Sequence, residues 1–448
     1  MSKVTLINHS SILFTLGNKI KNTFLTDFWY QTPAFGSWLP SPPPFYHPTY
    51  LASLSYSKNF YLILSHAHDD HIDDYFLKNY FNKNMKIIIS KIAYPSLKKR
   101  IKNMGFKNII SVGEKVKKIK DFEMISIVDK NLSLDDSCLL FRDKNYCVHH
   151  GNDNWFPLNK ENVIKVRRFG ANRKFLYAAQ ANSASGFPVT YPQFNKNNRE
   201  LKNKVKKMLS SGIENCKNVK ANYFLPYAGY TKSYVKNKDY ENKAFEPFYK
   251  NLKSLYKNEP SKIKYILDLF CGGTIDLKNG KIDYPFNFDP GKILKITDKF
   301  YKKEGIINKC DTFRNDILES RQTSLKEIKK FLESFNNFVK NHLKKFPNYY
   351  PNIVGKKLKF TITNKNSENK SYSIIIGLKK NINNSKKANK EFIIPNNLFK
   401  SVLNKKIVFE NLYTGYESNI IRYPKKKYNR DIITYLISFG YHYVNSKK

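Results

Sequence analysis

Four ligand-type side chains fall within six residues, at His66, His68, Asp70 and His71, directly after the apolar run Tyr61-Leu62-Ile63-Leu64. A strand of that composition running into the motif puts His66 and His68 on the same side, because side chains of an extended chain repeat every two residues. Asp70 and His71 follow the strand exit and turn back toward a second ion a few ångströms away. Imidazole and carboxylate together are what first-row transition metals take as ligands. As a solvated polar loop the cluster has little rationale, because buried imidazoles each need a partner. The spacing predicts a metal site.

The elements that must hold this motif can be read around it. Val4-Thr5-Leu6-Ile7 and Ser11-Ile12-Leu13-Phe14 flank His9 as a pair of strands, followed by Phe24-Leu25-Thr26-Asp27. Tyr61–Leu64 and Lys86-Ile87-Ile88-Ile89 read as buried strands, and Cys138–Phe141 with Tyr146–Val148 as a hairpin. At about 150 residues per domain, 448 residues suggest about three domains. The divisions expected are 1–250, a β-rich catalytic domain, 251–350, a mainly helical extension, and 351–448, a small α/β module. In the second, Ser324-Leu325-Lys326-Glu327 is a capping box ahead of a stripe of Ile328, Phe331, Leu332, Phe335, Val339, Leu343 and Phe346. His342 lies beside that stripe and reads as a core-edge histidine. In the third, Leu358–Ile362 and Ile374–Ile376 read as strands, with helices over Asn396–Leu403 and Asp431–Phe439.

Composition narrows the class. With 41% hydrophobic and 15% aromatic residues the chain can bury a substantial core, which excludes a wholly disordered protein. It has no apolar run of membrane-spanning length, and MSKVTLINHSSILF is not a signal peptide. Five scattered cysteines without CxxC spacing argue against a disulfide framework and for the reducing cytoplasm. The net charge of 79 − 36 = +43 points to anionic partners, and weak, nonspecific nucleic-acid binding is expected. The competing explanation is a solvated surface, since the lysines are spread along the chain and not gathered in one arm.

The His66–His71 run resembles the signature of the metallo-β-lactamase fold superfamily. The resemblance implies an α/β protein with an αββα sandwich and one or two metal ions at the edge between two sheets. It also implies a bridging aspartate after a later strand; the matching stretch Val148-His149-His150-Gly151-Asn152-Asp153-Asn154 offers Asp153. NHSSILF, LTDFWY and AFGSWLP, carrying His9, Asp27 and Trp38, are similar to the branch of the ascorbate-phosphate lactonases and CMP-N-acetylneuraminate hydroxylases. Gln180–Pro188, Pro226-Tyr227-Ala228-Gly229 and IIRYPKKKYNRD resemble the hydroxylases more. The match covers most of 1–240 and, weakly, the last fifty residues. His9 and Asp27 are placed by it behind the ligands, orienting their imidazoles through the other ring nitrogen.

Two departures from that family pattern bear on chemistry. The third histidine of the first metal and the last histidine of the second are both missing. The third-ligand position reads Leu134-Asp135-Asp136-Ser137, leaving Asp136, with a turn-capping role as its alternative; the last reads Ala228-Gly229-Tyr230. His149 and His150 are alternative donors, of which at most one can bind, since adjacent strand residues face opposite ways. A carboxylate in place of imidazole favours iron or manganese over zinc, and a carboxylate-rich di-iron oxygenase of this fold is known in the chloramphenicol pathway. The resemblance thus implies a dinuclear centre of His66, His68, Asp70, His71, Asp136 and Asp153, iron favoured and zinc or manganese possible, with Asp70 and Asp153 catalytic. The activity implied is O2-dependent oxidation of a small anionic substrate. Arg168 and Arg173, with Ser183 and Ser185 after them, are the residues expected to hold it, arginine forks being suited to phosphate, with ordinary surface charge as the alternative. No Rieske-type Cys/His spacing is present, so electrons would come from a separate donor protein. A phosphoester or lactone hydrolase, whose metal-bound water would have its pKa lowered to about 7, and a metal-dependent nuclease are the rival activities. Cys271-Gly272-Gly273-Thr274 lacks phosphate-loop spacing.

Overall fold

The computed structural model describes residues 3–91, 95–127, 137–155, 157–182, 185–187, 190–193, 199–233, 269–285, 318–319, 321–348, 350–364, 367–377, 388–415, 418–425 and 430–446, with residues 292, 295, 296 and 299. Contacts divide the chain into two units. The first comprises Met1–Ala34, Trp38–Ala184 and Leu201–Ile307; the second comprises Phe35–Ser37, Ser185–Glu200 and Asn308–Lys448.

The first unit is built on two sheets. In chain order its strands are β1 (Lys3–Asn8), β2 (Ser11–Leu16), β3 (Asn22–Thr26), β4 (Trp38–Pro40), β5 (Phe60–Leu64), β6 (Lys86–Ser90), β7 (Ile109–Val112), β8 (Lys117–Ile119), β9 (Phe122–Ile127), β10 (Cys138–Arg142), β11 (Tyr146–His150), β12 (Lys174–Gln180), β13 (Tyr223–Tyr227), β14 (Thr231–Ser233), β15 (Thr274–Asp276) and β16 (Ile282–Asp283). One sheet runs β16-β15-β1-β2-β3-β5-β6-β7, the other β13-β12-β11-β10-β9-β8, and β14 pairs with β4. Strands β3, β5, β6 and β7 are mutually parallel, as are β11, β12 and β13. Every residue of β5 is buried, the pattern of a parallel strand covered on both faces.

Aromatic rings fill the space between the sheets. Phe14 and Phe24 from the first meet Phe122 and Phe141 from the second, with Phe24 and Phe122 edge to face at 4.9 Å. Helix α1 (Pro48–Leu54) precedes β5, and α2 (Asp74–Tyr80) and α3 (Pro95–Asn103) follow β5 and β6 of the first sheet. Helices α4 (Lys160–Gly170) and α5 (Arg199–Asn218) contribute Val166, Phe169, Leu201, Val205 and Leu209 to the same core. This is the expected αββα sandwich. The Cys271-Gly272-Gly273 turn starts an added edge: Gly272 N–H bonds the Leu6 carbonyl at 2.7 Å, and β15 pairs with β1.

The second unit carries a sheet of order β18-β17-β19-β20, from β17 (Lys357–Thr363), β18 (Lys370–Ile375), β19 (Lys390–Pro395) and β20 (Asn419–Arg422). Helix α6 (Leu325–Lys345) opens with the capping box, Ser324 and Glu327 each satisfying the other's backbone N–H. Its apolar stripe packs with α7 (Asn396–Leu403) and α9 (Arg430–Asn445) through ring contacts of Phe331 with Phe399 and Phe439, and with Phe409, the residue ahead of α8 (Glu410–Tyr413). His342 is buried there, its Nδ1 3.2 Å from the Tyr435 hydroxyl. Among the described residues no helix is long and apolar enough to cross a membrane.

Candidate metal centre

The parallel arrangement of β3 with β5, and of β11 with β13, delivers their carboxyl ends to one edge of the sandwich. The β1–β2 turn lies at that edge too, because β2 is antiparallel to β3. His9 comes from that turn, Asp27 from the end of β3, His66–His71 from the loop after β5, and Asp153 from the loop after β11. His9, Asp27, Asn152 and Ala228 all have positive φ, at 22°, 39°, 41° and 51°. Four strained non-glycine residues at one edge are what a positioned functional site produces.

The donor atoms converge. The His66 ring lies 4.1 Å from those of both His68 and His71, centroid to centroid. Two groups each hold their donor atoms within 4.8 Å of one another: His66, His68 and Asp153, and His9, His71 and Asp153. Asp153 belongs to both. Its Oδ1 is 3.3 Å from His71 Nε2, and its Oδ2 is 4.0 Å from His66 Nε2. Asp70 faces the second group, with Oδ2 3.3 Å from His9 Nε2 and Oδ1 3.7 Å from His71 Nε2.

These residues fit metal ions on chemical grounds. His71 Nε2, Asp70 Oδ1, Asp153 Oδ1 and His9 Nε2 are buried without a hydrogen bond. So many orphaned donor atoms facing one volume are costly unless a cation satisfies them. Burial alone would lower the His71 pKa, but the Asp153, Asp70 and Asp27 carboxylates outweigh it and hold it well above 6.5. The field that keeps a proton there equally attracts a divalent cation.

Asp27 organises the ligands from behind. Its Oδ2 accepts His71 Nδ1–H at 3.0 Å, His150 Nε2–H at 2.8 Å and the Ser65 hydroxyl at 2.8 Å, and its Oδ1 accepts the Ser65 N–H at 2.8 Å. The Ser65 hydroxyl in turn lies 2.8 Å from His66 Nδ1. With Nδ1 protonated in both imidazoles, His66 and His71 present Nε2 to the centre. Burial would raise the Asp27 carboxyl, but electrostatic attraction to the His150 and His71 N–H groups, together with their hydrogen bonds, holds it far below its ordinary value.

The other expected residues are placed as follows. Both His150 nitrogens are engaged, Nε2 by Asp27 and Nδ1 by the Tyr227 hydroxyl at 2.6 Å, so His150 has no nitrogen left to bind a metal. His149 faces the opposite way, stacked on Tyr177 at 4.1 Å with Nδ1 3.1 Å from the Ala178 carbonyl; burial pushes its pKa down to about 3. Asp136 and Ser183 lie outside the described residues. Arg173 stands at the start of β12, where its guanidinium donates to the Asp143 and Ala171 carbonyls at the opposite end of the strands. Arg168 is exposed in the last turn of α4. The structure does not bring these arginines to the centre. Ser185 belongs to the second unit and donates to the Phe187 carbonyl.

The resemblance places His9 behind the ligands; in the structure its imidazole faces Asp70 and joins the second donor group. Where the resemblance expects a last histidine, Ala228 N–H holds the His9 carbonyl at 2.7 Å. Arg100 was not foreseen. From α3 it bonds the Ala67 carbonyl, pairs with Asp69 at 3.0 Å and bonds Asp74 at 2.9 Å, clamping the motif loop. Ser10, 3.1 Å from His71 Nδ1, and Tyr227 were also missed as contacts. Nothing in their local spacing signals these roles.

No family profile matches the chain. A protein of Mycolicibacterium smegmatis described as a Rieske 2Fe-2S iron–sulfur protein is 28% identical over 115 residues, 26% of this chain and 21% of that protein. The chain therefore spans about a fifth of the length of the curated relative it matches. Among solved structures, an isothiocyanate hydrolase from Delia radicum gut bacteria is similar at 15% identity and TM-score 0.41, over 61% of this chain and 98% of that one. CmlA, a diiron β-hydroxylase from Streptomyces venezuelae, is similar at 11% identity and TM-score 0.36, over 58% and 51%. The metallo-β-lactamase fold protein YhfI from Bacillus subtilis is similar at 14% identity and TM-score 0.31, over 55% and 93%.

Proposed function

We propose that this chain, which has the metallo-β-lactamase fold, is a metal-dependent oxygenase with a dinuclear centre. The observation that carries this reading is the make-up of the two donor groups. Each holds two imidazoles and one carboxylate, and Asp153 is common to both. Two histidines with one carboxylate leave open positions and suit ferrous iron used with O2; the same set also holds catalytic zinc, so the zinc-loaded protein is tested beside the iron-loaded one. His150, the imidazole that would complete a zinc-like set, is turned away into Asp27 and Tyr227.

His66 and His68 would hold one ion, His9, His71 and Asp70 the other, with Asp153 between them. Iron bound there would supply O2 activation. The chain's own part is orientation and exclusion. Asp27 and Ser65 fix the tautomers of His71 and His66, and burial of His9, His66 and His71 keeps water off the ligands. The Asp153 side chain is 15% exposed against 0–1% for those three histidines, so substrate reaches the centre from the Asp153 side. The substrate is a small anion, drawn by a chain of net charge +43, and a separate protein supplies the electrons.

The test is anaerobic loading with ferrous iron of protein purified without added metal, followed by oxygen uptake with ascorbate as reductant. Zinc-loaded protein is screened in parallel on phosphoesters and lactones. Two irons per chain and iron-dependent uptake are expected. Absence of uptake together with zinc-dependent hydrolysis would replace this reading by the hydrolase.

A further inference from the structure

We infer that the Tyr227 hydroxyl is a positioning group for the centre, acting on His71 through His150 and Asp27 and on Asp153 through Asn152. The inference rests on the reading that His71 and Asp153 hold metal. Tyr227 ends β13 and is fully buried. Its oxygen accepts the Asn152 N–H at 2.7 Å and lies 2.6 Å from His150 Nδ1.

The arrangement of protons assigned to this chain of contacts makes the phenol a donor to His150. An amide N–H is always a donor, so Asn152 uses an acceptor site on the phenol oxygen. With the phenol proton directed at His150 Nδ1, 2.6 Å away, that nitrogen is the acceptor. His150 therefore carries its proton on Nε2 and gives it to Asp27, beside the proton from His71 Nδ1. Burial raises the phenol well above its ordinary value and the Asp27 charge adds to this, so it stays a donor.

Deleting the hydroxyl frees His150 to take its other tautomer. Nε2 would then turn a lone pair on a carboxylate 2.8 Å away, a contact that holds only if the imidazole rotates or Asp27 moves. Either change loosens the group that orients His71.

The second branch reaches Asp153. Asn152 is held at φ 41°, with its side chain donating to the Ser137 carbonyl at 2.8 Å and accepting the Asp153 N–H at 2.5 Å. Its own N–H is tied down by the same phenol oxygen. One hydroxyl thus bears on both the ligand shared by the two groups and a ligand of the second. The next residue, Ala228, holds the His9 turn, so the end of β13 supports the centre where the family pattern would have supplied a histidine.

The experiment is cobalt(II) titration of the full chain against a competing chelator, for wild type, Tyr227→Phe and Tyr227→p-aminophenylalanine. Exchangeable imidazole N–H resonances of the cobalt-loaded proteins are recorded alongside. Tyr227→Phe keeps the ring and is expected to weaken cobalt binding about 10- to 100-fold and to shift or broaden the His71 Nδ1–H resonance. The amino variant restores a donor to His150 and should recover most of the affinity. Unchanged affinity and resonances in Tyr227→Phe, with wild type binding two ions, would overturn the positioning role alone. A wild type that binds no cobalt would overturn the metal reading and this inference with it. Equal loss in both variants would show that a donor to His150 is not what the centre needs, and would overturn it too. Should Tyr227→Phe not fold, His150→Gln takes its place, with the same affinity and resonance changes expected and the same unchanged result overturning.

Discussion

His150 and Asp27 lie 123 residues apart in the chain and meet at 2.8 Å, tying the end of β11 to the end of β3 and so one sheet to the other. Asp27 is fully buried and accepts four hydrogen bonds, which makes its charge affordable in the interior. Asp27→Asn removes the charge and turns an amide N–H₂ toward groups that donate. The expected losses are roughly 3 kcal/mol of stability and at least about tenfold in metal affinity, read by denaturant unfolding and chelator competition. Because the carboxyl is held below its usual 3.8, its stabilisation is fully present above that pH and fades only on acidification below it. An Asp27→Asn protein with unaltered affinity would refute its role as organiser.

Arg100 supplies the second support. Burial raises the Asp69 carboxyl, and the Arg100 guanidinium is the charge that opposes the rise. Arg100→Met would leave that carboxyl without its cation and release the Ala67 carbonyl between His66 and His68. A loss of about 2–4 kcal/mol is expected, together with weaker metal binding. Unfolding curves with and without metal separate the two effects; a variant as stable as wild type would contradict the clamp.

His66→Ala with His68→Ala should empty the first group and leave the second, whose donors come from His9, His71 and Asp153. Elemental analysis is expected to fall from two metals per chain to one. Full stoichiometry in the double variant would break the assignment.

His66, His68, Asp70 and His71 could be singled out because they stand close together in sequence directly after one apolar strand. Asp153 was legible through family resemblance to the stretch after β11. What could not be read depends on long-range register. Nothing near His150 in sequence says that Asp27 and Tyr227 will occupy both its nitrogens, and nothing near His9 says that the β1–β2 turn will swing its ring onto Asp70. Arg100 reads as one more cation in a lysine-rich helix until α3 is laid beside the motif loop. The paired strands around His9, the Cys138–Val148 hairpin and the capped helix at Ser324 were local patterns, and the structure contains all three. The β15 edge strand was missed because Thr274-Ile275-Asp276 is too short to show a period.

In the second unit, burial and the nearby Lys345 push the His342 pKa down to about 4. The folded protein therefore keeps His342 neutral, while the unfolded chain takes up a proton below about 6.5. A lowered histidine stabilises fully above the unfolded value and loses that contribution as pH falls from 6.5 toward 4. The cost at pH 4 is on the order of 2 kcal/mol. His342→Gln, which can still bond Tyr435, is expected to lose less stability than wild type between pH 7 and pH 4.5. Parallel acid-induced losses in the two proteins would show that His342 does not titrate in this window.

Asp136 separates oxygenase from hydrolase. It lies outside the described residues, and the resemblance implies that it gives the first group a second carboxylate. A further carboxylate adds negative charge and stabilises the higher oxidation state of bound iron, which O2 chemistry requires and hydrolysis does not. Asp136→His would bring the first group to three imidazoles, the set that suits a zinc-bound water. The variant is expected to keep its metal content, to prefer zinc, and to lose at least about tenfold in iron-dependent oxygen uptake, the effect of losing one well-placed charge. For a hydrolase the same change would be neutral or favourable. Oxygen uptake and hydrolysis are measured on both proteins, each loaded with iron and with zinc. Undiminished uptake in Asp136→His would remove Asp136 from the centre and leave it a turn residue ahead of β10.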